Sequence, residues 1–286
     1  MGCGYVGIAL ARALRRQRTP TGLTLTTTSE ERRAELEPLG EQVLICHAEN
    51  PVELHQALIE ADVAVFCLGP KGDRQVNASG YRRTFIDSLT CLKQLLSTLP
   101  RLRQIVYTSS CSVYGDATGG WVDETTPVHP RDDHAAVLLE AEALLHDMAK
   151  TGSKQLCILR LGALHGPGRD LDQRFRALAG QVRAGDGQRF TNWVHVDDAS
   201  GALQACVEMG WSGVVNVVND EPIRLADLVD GVLLRQNLAP IRWSGEAQQN
   251  DCNRRISNRR LKRLGYQIRH PSTLDQSGVL DPSQVP

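Results

Sequence analysis

The sequence predicts a doubly wound α/β fold, a parallel sheet covered by helices on both faces. Three observations carry that expectation. Short β-rich apolar runs alternate with amphipathic helical stretches through the first two-thirds of the 286 residues. Two of these runs, "ADVAVFCLG" (61–69) and "LRQIVYTSS" (102–110), are almost continuously apolar, as strands buried on both faces of a parallel sheet are. The chain also opens on "GCGYVG" (2–7), three glycines at the spacing of a turn that cradles phosphate and leads into a helix.

The elements follow in order. "YVGIALARALRRQ" continues from the glycines as a helix. "GLTLTTT" (22–28) is strand-like, and Thr28-x-x-Glu31 has the form of a capping box opening a helix towards "AELEPLG". "EQVLICH" (41–47) is the next strand. Asn50, Pro51 and Glu53 then supply an N-cap, a proline at the first helical position and an acid in the first turn. Between the two apolar strands, "YRRTFIDSLTCLKQLLSTL" (81–99) places Phe85, Leu89, Leu92, Leu95, Leu96 and Leu99 at helical spacing. "AAVLLEAEALLHDMAK" (135–150) is a further helix and "QLCILRLG" (155–162) a further strand. Past about residue 168 the alternation loosens into loops, helices and short strands such as "VVNVV" (214–218). The expected organisation is a nucleotide-binding domain over 1–168, a smaller substrate-side lobe over 169–272 interleaved with the sheet, and a polar tail over 273–286 that frays.

In a sheet of this kind ligands bind beyond the carboxyl ends of the strands. Gly2, Gly4 and Gly7 would permit the tight turn, the approach of backbone N–H groups to a pyrophosphate, and close helix packing. Tyr5 and Val6 open the helix whose N-terminus would face the phosphates. The fold is therefore expected to be Rossmann-type and the cofactor NAD or NADP. An NAD site usually places an Asp or Glu on the ribose hydroxyls about 20 residues on. Here that place reads Thr26-Thr27-Thr28-Ser29, with Arg32 and Arg33 just beyond. The hydroxyl of Thr28 and the guanidinium of Arg32 suit a 2′-phosphate, which favours NADP; the alternative is that the arginines lie on a solvated helix face.

Only Met1 precedes the glycine turn, where a buried strand normally stands. In a sheet ordered 3-2-1-4-5-6 that strand is central, and its truncation would leave the edges of its neighbours unpaired in the core. The natural chain is accordingly expected to start about five to ten residues upstream, the length of an ordinary strand.

Composition narrows the partners. A net charge of −1 gives no support to nucleic-acid or membrane-surface binding. No apolar run approaches the roughly 18–20 residues that span a bilayer. The eight cysteines are scattered, with no C-x-x-C pair and no histidines at metal-ligand spacing. They read as small buried hydrophobes of a reducing cytoplasm, and no metal site is expected.

Seven stretches, in order and spacing, carry a family resemblance: "GCGYVG", "IVYTSSCSVYGD" (105–116), "VDETTPVHP" (122–130), "LRLGALHGPG" (159–168), "NWVHVDDAS" (192–200), "VVNVVNDEP" (214–222) and "RRISNRRLKRLGY" (254–266). Together they resemble the extended short-chain dehydrogenase/reductase superfamily, in its NAD-dependent epimerase/dehydratase branch acting on nucleotide sugars. The G-x-G-x-x-G spacing, in place of the branch's G-x-x-G-x-x-G, is similar to an atypical subgroup. The resemblance implies hydride transfer at a hydroxyl or carbonyl carbon, a small-molecule substrate such as a nucleotide sugar, and a homodimer through helices near 81–99 and 134–150.

By motif position the resemblance makes Ser110 the residue that hydrogen-bonds the reacting oxygen. The family's Tyr-x-x-x-Lys pair falls on His134-Ala135-Ala136-Val137-Leu138, so His134 stands for the tyrosine and Leu138 for the lysine. A histidine can move protons near neutrality, or His134 is simply exposed at a polar helix start. Leu138 can supply no charge. Tyr114 is the other acid–base candidate, with a structural role as its alternative. Cofactor contacts are implied at Leu68 and Gly69, at Thr108, and at Leu161 and Gly162. His165 takes the place of a tyrosine beside the nicotinamide, and His195 precedes a helix capped by Asp197; each either positions a loop or takes part directly. The basic run 253–265 is either a phosphate site or a solvated helix capped by Ser257 and ended by Gly265. Two functions stay open: an NAD(P)-dependent oxidoreductase or epimerase-like enzyme, and a non-catalytic dinucleotide-binding protein that regulates a partner.

Overall fold

The structure is a computed structural model and describes residues 1–17, 22–70, 78–150, 154–245 and 252–274. Two units are each assembled from several stretches of chain. The first comprises Met1–Val113, Pro130–Arg160 and Ser200–Val215, the second Tyr114–His129, Leu161–Ala199 and Asn216–Pro286. Residues 114–129 and 161–168 thus fall in the second unit, and 200–215 in the first. Of the polar tail, 275–286 lie outside the described residues, while Thr273 is buried and accepts a hydrogen bond from Asn219 Nδ2 at 2.6 Å.

In the first unit, β1 (Thr24–Thr27) and β2 (Gln42–Ile45) pair in parallel, Thr24 opposite Gln42. A four-stranded sheet has the order β11 (Gly213–Val217), β6 (Gln155–Leu161), β4 (Gln104–Ser110), β3 (Val63–Phe66), with β3 and β4 parallel and Val63 opposite Gln104. Met1–Cys3 lie between the two groups. The Met1 ammonium donates to Val65 O at 2.8 Å and Cys67 N–H donates to Met1 O at 3.0 Å. On the other side Cys3 N–H donates to Thr26 O at 2.9 Å and Gly2 N–H to Thr26 Oγ1 at 3.0 Å. Three residues therefore take up hydrogen bonds of the central strand, and the strands follow one another as β2, β1, Met1–Cys3, β3, β4, β6, β11. Both faces are covered, as the apolar runs require: Ile105, Val106 and Tyr107 of β4 and Cys157, Ile158 and Leu159 of β6 have almost no exposure.

The helices of this unit are α1 (Tyr5–Arg15), α2 (Arg33–Leu36), α3 (Pro51–Leu58), α4 (Ala78–Arg82), α5 (Ser88–Leu95), α6 (Asp133–Lys150) and the greater part of α8 (Val196–Met209). Helix α1 buries Val6, Gly7, Leu10 and Ala11, one face at helical spacing. Asn50 caps α3, its side chain accepting from the amides of Val52 at 3.0 Å and Glu53 at 3.4 Å. The helix expected to open on Thr28 and Glu31 begins instead after Ser29 as a 3₁₀ turn, Glu30–Arg32, and the Ser29 hydroxyl donates to the Glu31 carboxylate. The stretch 81–99 is not one uniform helix: a π turn, Arg83–Asp87, joins α4 to α5 and still buries Phe85 and Ile86. At the heart of the unit Glu142 of α6 meets Arg160 of β6 at 2.6 Å, with Ser109 Oγ donating to the same carboxylate at 2.6 Å.

The second unit is built from strand pairs. β5 (Trp121–Val122) pairs with β14 (Arg255–Ile256), β7 (Ala163–His165) with β10 (Trp193–His195), and β8 (Val182–Arg183) with β13 (Arg242–Trp243), all parallel. β9 (Phe190–Thr191) and β12 (Ile223–Arg224) are antiparallel. Helices α7 (Leu171–Arg176) and α9 (Leu225–Arg235) pack Phe175, Leu228 and Val232 with Trp193 into an apolar core. The basic run yields α10 (Arg259–Arg263), whose N-cap is Asn258 and not the expected Ser257; the Ser257 Oγ accepts from Arg259 N–H at 3.3 Å one residue further out, and Gly265 leaves the helix at φ +93°. Ahead of it, Arg254 donates to Gly115 O at 2.6 Å and Arg255 to Gly119 O at 2.8 Å, so two of its guanidinium groups hold a loop of the same unit. Among the described residues no helix is long and apolar enough to cross a membrane.

Candidate functional site

The three glycines of the opening loop have three different surroundings. Gly2 holds φ +72°, and a Cβ there would stand 2.9 Å from the Cys67 carbonyl oxygen and 3.1 Å from Leu68 Cδ2. The loop is thereby seated on the end of β3, and Gly2 and Leu68 are brought together. A Cβ on Gly7 would come within 2.9 Å of Gly2 O, so the first turn of α1 closes on the loop. Gly4 is the N-cap of α1 and faces open space, with nothing within 4 Å of the Cβ it lacks and no side chain capping the helix. Gly69, beyond β3, also faces open space. Uncapped backbone at a helix N-terminus, with room above it, suits a pyrophosphate. The space beside Gly4 leaves room for such a group at the start of α1, where Tyr5, Val6 and Gly7 form the first turn.

At the end of β1, Thr26 and Thr27 are buried and Thr28 is half-buried. Arg32 pairs with Glu35 at 3.1 Å and Arg33 with Glu30 at 2.7 Å, both pairs partly exposed and within one helical turn. Such pairs contribute little and part readily for a stronger anion.

At the ends of the neighbouring strands, Thr108 Oγ1 donates to Phe66 O at 3.2 Å. Ser110 closes β4, half-buried, its Oγ accepting from Ser112 N–H at 3.1 Å. Beside them, burial pushes the Cys67 thiol up to about 12. His134 stands exposed in the first turn of α6, and its ring lies 4.3 Å from that of Tyr81 on α4. Burial, and then the charge of Asp132, raise the Tyr81 phenol. One turn along α6, Leu138 is buried. Ser110, His134, Leu68, Gly69, Thr108 and the glycine loop all belong to the first unit.

Tyr114, Leu161 and Gly162 belong to the second unit. Tyr114 is 2% exposed and its hydroxyl donates to Asn216 Oδ1 at 2.8 Å. Leu161 is buried. Gly162 has no room for a Cβ, which would meet Asn192 O at 2.8 Å, and its N–H donates to Val217 O at 3.0 Å. The same unit contains a cavity of about 460 Å³ lined by Phe175, Leu178, Val229 and Trp243, with Arg183 and Arg189 at its wall.

The second unit also gathers residues that spacing along the chain did not connect. His165, His195 and His270 adjoin one another: the rings of His165 and His195 are 5.1 Å apart, and those of His195 and His270 are stacked at 3.8 Å. The helix after His195 is capped differently from the expectation, since His195 Nδ1 itself accepts the Asp197 N–H at 3.2 Å. Asp198 is fully buried and accepts from Tyr266 Oη at 3.0 Å, Arg269 N–H at 2.7 Å, and both the amide and Nδ1 of His270 at 2.9 Å. Burial would raise its carboxyl, but these bonds, led by His270, outweigh it and hold the group below the usual range. Burial, with His195 and His270 adding to it, pushes the His165 imidazole down to about 4. Burial and the neighbouring His270 likewise lower His195. Tyr81, Asp198, Tyr266 and His270 carried no local signal, because each gains its partner only through folding.

Comparison with known proteins places the chain. The model of the NAD dependent epimerase/dehydratase family matches residues 2–218. The chain belongs to that family. Among curated relatives, this epimerase/dehydratase-family chain is 33% identical over 214 residues to Protein YeeZ of Escherichia coli strain K12, covering 71% of this chain and 70% of the relative. It is 30% identical over 176 residues to a 3-diazoavenalumate denitrifying reductase of a Streptomyces species, covering 55% and 58% of the two chains. In fold it is similar to the dTDP-glucose 4,6-dehydratase of Bacillus anthracis, solved in complex with NAD, with a TM-score of 0.79 at 17% identity, covering 97% of this chain and 93% of that one. The family member described here is accordingly an NAD(P)-binding protein of oxidoreductase or epimerase type on a Rossmann-like parallel sheet.

Proposed function

We propose that this chain is an enzyme that binds NADP in preference to NAD and oxidises or reduces a hydroxyl- or carbonyl-bearing carbon of a small molecule, in the class of nucleotide sugars. The observation that carries the reading is the open space beside Gly4, the N-cap of α1, which no side chain occupies, between two closely packed glycines. Thr28 and Arg32 would hold the 2′-phosphate, Arg32 by leaving its exposed pair with Glu35. Leu68, Gly69 and Thr108, all of the first unit, would contact the cofactor through backbone and small side-chain surface. Bound nicotinamide would supply or accept the hydride. Ser110 would orient the reacting oxygen through its half-buried hydroxyl, and His134 would move the proton, its ring steadied against Tyr81. Tyr114, whose hydroxyl is engaged with Asn216, is the weaker candidate for that step. The dTDP-glucose dehydratase of similar fold supports the substrate class, and the mixed apolar and arginine lining of the cavity in the second unit supports a small molecule with an anionic part.

The competing reading is a protein that binds the dinucleotide without turning over. The buried Leu138, one turn from His134 and unable to supply a charge, favours it. Paired fluorescence titrations with NADPH and NADH, followed by turnover against carbonyl compounds and nucleotide sugars, separate the two. The enzyme reading expects tighter NADPH binding and a turnover that Ser110→Ala and His134→Ala each reduce by about a hundredfold. Cofactor binding with no hydride transfer to any of these compounds supports the non-catalytic reading. Turnover that survives both substitutions removes Ser110 and His134 from the chemistry.

A further inference from the structure

We propose that His195, Asp197 and His270 form a binding site for a divalent transition-metal ion of the zinc class. One donor atom from each residue lies within 4.8 Å of the others. Two of these atoms, His195 Nδ1 and Asp197 Oδ2, are 3.6 Å apart. Ligands held about 2.1 Å from a tetrahedral ion stand about 3.4 Å from one another, so this pair is already near ligand spacing. Two imidazoles and a carboxylate are a donor set suited to zinc and the neighbouring first-row ions.

The surroundings are those of a ligand histidine. The Nδ1–H of His270 donates to Asp198 Oδ2 at 2.9 Å, and Asp198 is itself fixed by Tyr266 and by two backbone amides. A carboxylate behind a histidine in this way sets its tautomer and leaves the other nitrogen, here Nε2, to face a ligand. Asp197 is more than half exposed and gives an ion a way in from solvent. An independent observation comes from His165, 92% buried beside His195, whose Nε2 has no hydrogen-bond partner among the described residues. A cation, or a water bound to it, would satisfy such an atom.

The rings of His195 and His270 are stacked, with 28° between their planes, so their lone pairs run side by side. Ion capture therefore requires one ring to turn. His270 is fixed by Asp198, whereas His195 Nδ1 accepts a 3.2 Å bond from the Asp197 N–H, so His195 is the ring that moves. The captured ion would tie the segment around His270 to the start of α8, both in the second unit.

The test uses the full chain, stripped with a chelator and titrated by calorimetry with Zn²⁺ and, separately, with Co²⁺ followed by visible absorption. We expect one saturable ion per chain with a Kd of about 1 μM or tighter, and a Tm that rises on binding. Asp197→Asn and His195→Gln should each weaken uptake at least about tenfold. Asp197 is largely exposed, so the first variant keeps the fold, which circular dichroism checks. Absence of saturable uptake overturns the proposal, as does uptake that both variants leave within about twofold of the wild-type Kd. Neither result bears on NAD(P)H binding, which is followed separately.

Discussion

The carbonyl oxygen of Gly2 lies 2.9 Å from the point that a Cβ on Gly7 would occupy, so the opening loop and the first turn of α1 are locked together without spare volume. Gly4, between them, has nothing within 4 Å. The same glycine-to-alanine change should therefore have opposite consequences at the two positions. Gly7→Ala should destabilise by about 1–3 kcal/mol through overpacking. Gly4→Ala should leave urea stability within about 0.5 kcal/mol while weakening NAD(P)H affinity at least about tenfold, because the methyl fills the space over the helix N-terminus. Urea melts and nicotinamide fluorescence on the two variants check both halves.

Glu142 and Arg160 form an ion pair whose side chains are 1% and 6% exposed. Removing one partner strands the other charge in the core. Glu142→Leu should cost about 3–5 kcal/mol, whereas Glu142→Leu combined with Arg160→Met should recover most of that loss. A double-mutant cycle by urea denaturation distinguishes this from a simple packing defect, which the second substitution would not repair.

Tyr114→Phe removes the donor to Asn216 Oδ1 from a fully buried site. The expected cost is about 1–3 kcal/mol of stability, the penalty for an unsatisfied buried acceptor. If Tyr114 has only this structural role, turnover per folded molecule stays at the wild-type level. A large fall in kcat at unchanged KM would instead make its hydroxyl part of the proton path.

The Cys67 thiol is pushed up to about 12 by burial, despite the opposing charge of the Met1 ammonium. Only the thiolate reacts, and it is a minor species everywhere below that value. Alkylation of Cys67 in the folded protein should therefore rise about tenfold per pH unit from pH 7 to 10 with no plateau. Mass-spectrometric mapping of iodoacetamide adducts gives the profile; a plateau near pH 8–9 would mean an unburied thiol.

Much of the first unit could be read along the chain. Asn50 with Pro51 and Glu53 announced the start of α3, because a cap depends on residues within one turn. The apolar runs of β3 and β4 announced burial on both faces, and the three glycines announced the loop. The expectation for Thr28 and Glu31 did not transfer, since Ser29 sits closer to the turn and engages Glu31 first. The stretch 81–99 kept its apolar spacing while a π turn altered its hydrogen bonding, which composition does not encode.

The sequence by itself determined the alternation of strands and helices, the glycine turn ahead of α1 and the Asn50 cap of α3, since all of these rest on interactions within one turn or one strand. Only the tertiary structure decided where Met1–Cys3 lie, because their partners, Thr26 and Val65–Cys67, come from distant strands. It likewise decided that residues 200–215 return to the sheet unit. The convergence of His165, His195 and His270 has the same origin. Their neighbourhood is fixed by the pairing of β7 with β10 and by Asp198 gathering Tyr266, Arg269 and His270, long-range contacts that leave no periodic or capping trace in the chain.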